Sequence, residues 1–308
     1  MGRRLVPLLL LAVLTVGAAA AAYGAGQGQA GFVSGTAAAS EPAGSPALLQ
    51  QIEAATAQAG TAQFTFTSKT TTSGTTAPTP SRGFGIVDFP GGRSNVYSIL
   101  KISEPSLAGH AASTVSQSEQ RIDLPTGTYE MVQSGALTGG SSGWVTMPNL
   151  VKADSNPLQA LINGNPGTLG LALALASGAK REGTATVSGV ALRTYRLTTP
   201  SLSCTSAAGE KLGFDSLLTV EVDRDDRIRQ IDQHTSVRFT DPMSRGESVV
   251  GLTSRLDVTA FGHPVSISPP TAVQPGGRAE FGKFTGAQCA TLNGVFLSAF
   301  AATSASAG

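Results

Sequence analysis

Phenylalanine and threonine alternate in Gln63-Phe64-Thr65-Phe66-Thr67-Ser68-Lys69, so an extended chain here would carry both aromatic rings on one face. The opposite face carries threonine hydroxyls, as expected of a strand with one buried side. Further strand patterns follow, divided by turn-rich segments such as Pro90-Gly91-Gly92. They cover residues 85–89, 95–102, 116–124, 129–132 and 144–147. Together these stretches predict an antiparallel meander.

Strand patterns return in the second half of the chain. Residues 217–223 and 227–232 flank Arg224-Asp225-Asp226, which predicts a tight hairpin. This acidic tip lacks the glycine and the glutamate that shape an EF-hand, so a solvated turn is a better interpretation than a calcium site. The other predicted strands cover residues 184–187, 191–198, 235–240 and 249–261.

Helical spacing occurs at the start and in the middle of this patterned region. Apolar residues repeat at helical intervals over residues 46–59, and Gly60 ends the pattern. The same spacing recurs over residues 157–163, and residues 168–181 form a Leu/Ala-rich run that favours a helix. Because an apolar helix must be covered, the concave face of the sheet is its expected partner. The predicted fold class is therefore mainly β with helices (α+β).

The first 22 residues have the pattern of an export signal. Arg3-Arg4 precedes the uncharged run 5–22, which is rich in Leu and Val and then ends in small residues. The arginine pair lacks the neighbours of a twin-arginine signal, which favours ordinary export. Residues 23–45 are rich in Gly, Ala, Ser and Gln and are predicted to be a flexible linker. We therefore expect an extracytoplasmic protein, secreted or held at the outer face of the cytoplasmic membrane.

Composition excludes several function classes. Lys and Arg number 21 against 20 Asp and Glu, so no basic surface is expected to recruit nucleic acid. His110, His234 and His263 are isolated in the sequence, so we expect no metal site and no cofactor. Residues 139–143 match the Gly-x-Ser-x-Gly pattern, but a strand rather than a helix is predicted after Ser141. A serine hydrolase is thus a remote alternative, and no catalytic residue is assigned.

The chain has two cysteines, Cys204 and Cys289. In the oxidising environment of an exported protein they could pair. Closing a loop of about 85 residues would stabilise the fold by roughly 4.5 kcal/mol in the chain-entropy model. Two unpaired thiols are the alternative, because sequence alone does not fix pairing.

The order of the elements and three quoted stretches resemble a known family. Residues 183–198 read Gly-Thr-Ala-Thr-Val-Ser-Gly-Val-Ala-Leu-Arg-Thr-Tyr-Arg-Leu-Thr. Residues 218–231 read Leu-Thr-Val-Glu-Val-Asp-Arg-Asp-Asp-Arg-Ile-Arg-Gln-Ile, and residues 261–270 read Phe-Gly-His-Pro-Val-Ser-Ile-Ser-Pro-Pro. With an opening helix, a meander, a Trp-containing strand and a helical insert, they resemble the actinobacterial LprG/LppX-like lipoproteins of the LolA/LolB superfamily. The resemblance covers residues 46–270.

This resemblance implies a half-barrel of antiparallel strands whose open face is covered by helices, enclosing an apolar cavity for acyl chains. Members of the family carry amphiphiles across the cell envelope or help to place lipids in its outer layers, without catalysis. The implied ligand is a lipid or another hydrophobic molecule, and the implied partners are the membrane surface or an envelope transport protein. From the apolar pattern we propose as cavity residues Phe64, Phe66, Ile86, Val96, Leu161, Leu169 and Leu173.

The sequence departs from the family in three ways. It lacks the cysteine that carries a lipid anchor after the signal, it inserts residues 200–213 with Cys204, and it adds an extension over residues 271–308. A bridge from Cys204 to Cys289 would tie this extension across the barrel, where it could cap the cavity. In the extension, Leu292, Phe296 and Phe300 could line one side of a short helix with Cys289.

Without a lipid anchor, the protein is either released as a soluble shuttle or held by an uncleaved N-terminal helix. The 18 uncharged residues of the run 5–22 are just enough to span a bilayer, but release is favoured. The main rival to a lipid carrier is an extracytoplasmic interaction or sensor domain that contacts proteins through its outer face or its tail. In that case the same apolar residues would fill a closed core, and the sequence leaves both alternatives open.

Overall fold

The computed structural model describes residues 44–72, 79–104, 113–134, 143–147, 157–164, 168–187, 189–206, 211–240, 247–274 and 284–285. The predicted export signal and almost all of the predicted linker lie outside these residues, as does Ser141. Cys289 and the predicted tail helix also lie outside them. Among the helices that are described, none has the length and apolar character needed to cross a lipid bilayer.

The first helix, α1 (Pro46–Gln58), forms where the apolar spacing predicts it. Ser45 caps its N-terminus, because the side-chain oxygen accepts a hydrogen bond from the backbone N–H of Leu48 at 3.3 Å. Ile52 is fully buried on the face that meets the sheet. Gly60 follows the helix with φ of 80°, a left-handed conformation that favours glycine.

The first half of the chain then forms the predicted meander. Its strands are β1 (Thr61–Thr72), β2 (Thr79–Asp88), β3 (Arg93–Glu104), β4 (Ser113–Leu124), β5 (Gly127–Ser134) and β6 (Trp144–Met147). Each covers the corresponding predicted strand to within one residue. Consecutive strands pair antiparallel throughout. The antiparallel meander is confirmed.

The second half supplies the remaining strands and corrects one prediction. Its strands are β7 (Gly178–Val187), β8 (Val190–Thr198), β9 (Leu202–Ser206), β10 (Lys211–Val222), β11 (Ile228–Thr240), β12 (Glu247–Phe261), β13 (Val273–Gln274) and β14 (Phe284–Thr285). The two strands predicted within residues 227–240 are one continuous strand, because β11 pairs along its length with β10 and β12. The predicted insert, residues 200–213, supplies β9 and the start of β10.

Within the described residues, fourteen strands form one curved sheet. Its order is β13-β6-β5-β4-β3-β2-β1-β12-β11-β10-β8-β7, with β9 beside β10 and β14 beside β9. All pairs are antiparallel except β13 and β6. Because β12 returns to pair with β1, the two halves of the chain join at the centre of the sheet. The order ends at β13 and β7, so the sheet is not closed by hydrogen bonds.

Two short helices lie between β6 and β7 in the chain, α2 (Gln159–Gly164) and α3 (Thr168–Leu175). The first packs against β2, β3 and β4, and the second packs against α2 and β10. The predicted helix over residues 168–181 is too long, because the chain leaves the helix after Leu175. Residues from Gly178 onward instead pair with β8, and these backbone hydrogen bonds outweigh the helix propensity of the sequence.

The hairpin between β10 and β11 turns at Arg224-Asp225-Asp226, as predicted. Asp223 accepts hydrogen bonds from the backbone N–H groups of Asp225 and Arg227, at 3.0 and 3.1 Å. It also accepts from the side chains of Arg227 and Arg229. Burial alone would raise the pKa of Asp223, but these donors hold it below the usual value. The aspartate therefore organises the turn through the protein's own donors.

The start of the described chain lies along the β7 edge of the sheet. Ser45 and Ala179 exchange two backbone hydrogen bonds, of 2.9 and 3.0 Å. Gly44 and Gly178 touch beside this bridge, because a Cβ added to Gly178 would lie 2.6 Å from the Gly44 carbonyl oxygen. This close approach leaves room only for glycine at position 178.

Candidate functional site

One face of the sheet is buried, and we call it the inner face. It carries Phe64 on β1, which lies opposite Gly85 on β2, which in turn lies opposite Val96 on β3. Side chains at opposed positions of neighbouring strands project to the same side. The apolar surface continues over the central strands through Leu256 on β12, Ile231 on β11 and Val220 on β10.

Six of the seven proposed cavity residues are buried in this apolar cluster: Phe64, Phe66, Val96, Leu161, Leu169 and Leu173. Ile86 is not among them. It lies opposite Gln63 and Asn95 on the outer face and is partly exposed. The inner positions of β2 belong to Gly85 and Val87, so including Ile86 in the set is wrong. That the other six contact a ligand stays a prediction.

Two glycines of β2 make room for the aromatic rings of β1. A Cβ added to Gly85 would lie 2.4 Å from Cζ of Phe64, and one added to Gly83 would lie 2.5 Å from Cζ of Phe66. The rings therefore lie across β2 and extend toward β3. No larger residue fits beneath either ring without displacing it.

Beyond β3 the inner face changes from apolar to charged. Glu119, Arg121 and Asp123 occupy its positions on β4, and Glu130 occupies one on β5. Arg121 lies opposite both Val96 and Glu130. These four side chains, which we call the charged cluster, are all buried.

Half of the charged cluster is fully paired. The Arg121 guanidinium donates to Asp123 through Nε and Nη2, at 2.9 and 3.0 Å. Asp123 also accepts hydrogen bonds from the hydroxyls of Ser94 and Thr128, at 3.2 and 2.6 Å. A bidentate pair with two further donors compensates the desolvation of both charges.

The other half is not paired. Glu119 and Glu130 form neither a hydrogen bond nor an ion pair with any residue that the structure describes. Burial raises the pKa of Glu119 to about 7, although Arg121 opposes the shift. Burial and the neighbouring Glu119 raise the pKa of Glu130 well above its usual value. The inner face thus holds two carboxyl groups that keep their protons to a higher pH than exposed glutamates do.

The pattern of residues 116–124 predicts a strand but does not mark these charged residues as buried. The signal for them in the sequence is a charged residue at every second position, namely Glu119, Arg121 and Asp123. In a strand these three side chains share one face. Such a face is usually solvated, because burying charges is costly. Here α2 packs over β4 and neighbouring strands, which a strand pattern alone does not indicate.

The outer face has a pocket of its own, of about 430 Å³. None of the seven proposed cavity residues lines it. The ionisable side chains in its wall are Lys69, Arg82, Asp232, His234 and Arg255. These ionisable groups of both signs distinguish the pocket from the apolar inner face.

Cys204 lies on β9 at a buried inner position opposite Leu212. It is not a free thiol. The two-residue strand β14 pairs with β9 next to it, at Thr205 and Ser206. Since Cys289 lies outside the described residues, the predicted pairing of Cys204 with Cys289 stays a prediction.

Comparisons with known proteins give only weak likeness. No family model and no curated protein match the chain. Among solved structures, LprF from Mycobacterium bovis has a TM-score of 0.32 and 14% identity, over 75% of this chain and 100% of that one. The lipoprotein LppX from Mycobacterium tuberculosis has a TM-score of 0.29 and 12% identity, over 72% and 99% of the two chains. A DUF1329 family protein from Desulfovibrio piger has a TM-score of 0.26 and 10% identity, over 73% and 95%. TM-scores this low leave the family of the chain open.

Proposed function

We propose that this protein is an exported, non-catalytic carrier of the cell envelope. It binds a lipid or another hydrophobic ligand between the inner face of its sheet and the helices α2 and α3. The observation that carries the proposal is that α3 buries leucine side chains on opposite sides. Leu169 and Leu173 lie on one side of this eight-residue helix and Leu171 lies on the opposite side, yet all three are buried.

A helix this short has little stability of its own. Its position depends on apolar contacts with the sheet and with α2, and an acyl chain offers the same kind of contact. Each methylene group gains about 0.8 kcal/mol on burial, so a long chain can compensate for the surface that α3 gives up when it moves. We therefore expect the ligand to lie over Phe64, Phe66 and Leu256, at the centre of the sheet.

The domain that binds the ligand covers residues 46–270, and the extension covers residues 271–308. The pairing of β14 with β9 supports a tether between them, because it brings residues 284–285 beside Cys204. A Cys204–Cys289 bridge would make this tether covalent. The export signal, residues 1–22, places the domain outside the cytoplasm, where its ligand and a membrane or transport partner are found.

The test uses the single tryptophan, Trp144, as an energy donor. It lies on β6, one residue before Val145, which is opposite Glu130 of the charged cluster. The full-length protein is purified, its co-purifying lipids are identified by native mass spectrometry, and N-dodecyl dansylamide, an uncharged probe with a dodecyl chain, is added to the delipidated form. We expect saturable energy transfer from Trp144 that unlabelled lipid displaces. The proposal fails if no lipid co-purifies and if energy transfer to the probe does not exceed that of a non-binding control protein.

Two variants sharpen this test. Leu173→Ala enlarges the space under α3 and should raise the affinity for the dansyl probe. Leu217→Ala truncates the same side chain at an exposed position of β10 and should leave the affinity unchanged. Equal effects of both variants would count against binding beneath the helices.

One observation favours the alternative of an interaction domain with a filled core. Phe84 is 58% exposed on the outer face, and its ring lies 5.5 Å from that of Tyr97. An exposed aromatic pair is a common element of protein-binding surfaces. If the protein binds no lipid, this pair is the first place to look for a protein partner.

A further inference from the structure

The charged cluster contains more carboxyl groups than its own hydrogen bonds use. Arg121 and Asp123 neutralise each other through two hydrogen bonds. Glu119 is only 9% exposed and Glu130 only 3%, yet neither has a hydrogen-bond or ion-pair partner among the described residues. Buried polar groups in folded proteins are almost always satisfied. Two largely buried carboxyl groups on one surface, without a donor among the described residues, therefore offer acceptor positions to a ligand.

Register places these carboxyl groups where the apolar part of the inner face ends. One row of opposed positions runs from Phe64 through Gly85 and Val96 to Arg121 and Glu130. The next row runs from Phe66 through Gly83 and Ser98 to Glu119. A molecule lying across the strands would thus meet aromatic rings first and carboxyl groups second. This is the polarity of an amphiphile.

We propose that the charged cluster binds the polar end of the carried ligand, and that this end is a hydrogen-bond donor without negative charge, namely a hydroxyl-bearing or amine headgroup. The inference deepens the proposed function and rests on it. It adds the class of headgroup and the residues that select it, Glu119 and Glu130.

The chemistry of the cluster determines this class. A glutamate carboxyl group accepts hydrogen bonds whether or not it holds a proton, and the ionised form only accepts, so a donor on the ligand suits both protonation states. The guanidinium fork of Arg121 is already engaged by Asp123 and cannot offer its bidentate geometry to a phosphate or carboxylate. An anionic headgroup would also oppose the ionisation of Glu119 and Glu130, because like charges at short range repel strongly in a buried site.

Among the described residues, the positions that face Glu119 and Glu130 carry no basic side chain besides Arg121. None of residues 157–164, which include α2, is ionisable. The opposed positions on β3 and β6 are Ser98 and Val145. In the sheet order only β6 and the two-residue β13 lie beyond β5, so the cluster is close to an open edge. A headgroup can therefore reach it without passing through the centre of the sheet.

The experiment compares three ligands with the same dodecyl chain length and different headgroups. Dodecylamine, 1-monolauroylglycerol and dodecanoate are used to displace the uncharged dansyl probe from the delipidated full-length protein. We expect the amine and the glycerol ester to displace the probe at concentrations about tenfold lower than dodecanoate, a difference typical of one charge-assisted hydrogen bond. The amine and ester arms show whether a cationic or a neutral donor is preferred.

In the double variant Glu119→Gln, Glu130→Gln, the ratio between the displacing concentrations of dodecanoate and of the two donor ligands should fall at least fivefold. The variant should still bind the dansyl probe. Asp215→Asn, which changes one carboxylate on the outer face of β10, is the control and should keep the preference. Equal displacement by all three ligands, stronger binding of dodecanoate, or an unchanged preference in the double variant would overturn the headgroup site alone. Failure of the dansyl probe to bind at all would overturn the carrier proposal as well.

Discussion

Arg121 and Asp123 form a bidentate ion pair on the inner face of β4, with nitrogen–oxygen distances of 2.9 and 3.0 Å. They are two residues apart in one strand, so both side chains project to the same side. Their side chains are 9% and 3% exposed. In such a site the loss of one partner leaves the other charge buried without compensation.

Replacing Asp123 with alanine should therefore destabilise the protein by about 3–5 kcal/mol, because Arg121 loses its counter-charge. Urea unfolding followed by circular dichroism measures the change in free energy. The matched control is Asp257→Ala on β12, which removes a partner of Arg255 from an exposed pair. That loss should be below about 1 kcal/mol, and equal losses in the two variants would contradict the argument.

Stability should fall as the pH rises from about 4.5 to about 7. The folded-state pKa of Glu119 is about 7, above the usual value of 4.5, so in this interval the unfolded chain has released a proton that the folded protein still holds. Glu130 acts in the same direction, and the charged groups that face both are Arg121 and Asp123. Between pH 4.5 and pH 7 the free energy of unfolding should fall by about 1–3 kcal/mol.

Thermal unfolding between pH 4 and pH 8 measures this slope, which is the change in stability with pH. The Glu119→Gln protein should lose part of the slope and be more stable than the wild type at pH 8, since the amide is not ionised there. Asp257→Ala should keep the wild-type slope. A wild-type protein whose stability rises steadily from pH 4.5 to 7 would show that these glutamates do not dominate.

Phe64→Ala should cost about 3–5 kcal/mol, because the ring is buried over Gly85 and its removal leaves a cavity. The exposed Phe84 on the neighbouring strand provides a control of identical chemistry. Phe84→Ala should change the unfolding free energy by less than about 1 kcal/mol. Comparable costs at both positions would mean that the burial of Phe64 is not what stabilises this region.

Gly85→Ala should destabilise the protein by about 1–3 kcal/mol, because the added Cβ would lie 2.4 Å from the Phe64 ring. Gly183 on β7 is the comparison, since a Cβ there meets no atom within 4 Å. Gly183→Ala should be neutral or slightly stabilising. The difference between the two melting temperatures measures how tightly β1 and β2 are packed.

Oxidised protein should migrate as an intramolecularly crosslinked species in a non-reducing gel. Peptide mapping should then identify Cys204 joined to Cys289, since the chain has only these two cysteines. Reduction should lower the unfolding free energy by a few kcal/mol, as expected when a loop of about 85 residues is released. Two alkylatable thiols in the native protein would disprove the tether.

Much of the fold follows from local patterns. Alternation around Phe64 and Phe66 predicts β1, and the apolar spacing before Gly60 predicts α1. Pattern fails where long-range pairing decides the outcome. Residues after Leu175 have helical propensity, but β8 is available as a partner and Gly178 starts a strand instead. The length of β11 likewise depends on neighbours on both sides.

The candidate site is only partly readable from the sequence. Hydrophobicity correctly selects Phe64, Phe66 and Val96 for the inner face. It selects Ile86 wrongly, because the inner positions of β2 hold Gly85 and Val87. Glu119 and Arg121 show the opposite error, since charged residues are expected in solvent. Their burial depends on α2, which is distant in the sequence and packs over their strand only in the folded chain.

The contact between Gly44 and Gly178 has a consequence for how copies of this protein coexist at high concentration. An edge strand exposes unpaired N–H and C=O groups, which can recruit a strand from another molecule and begin aggregation. At β7 the bridge from Ser45 occupies those groups of Ala179, and the exposed residues Lys180, Arg181 and Glu182 follow directly. The backbone bridge from Ser45 and three charged side chains thus protect this edge. An incoming strand would have to displace the protein's own backbone to pair there.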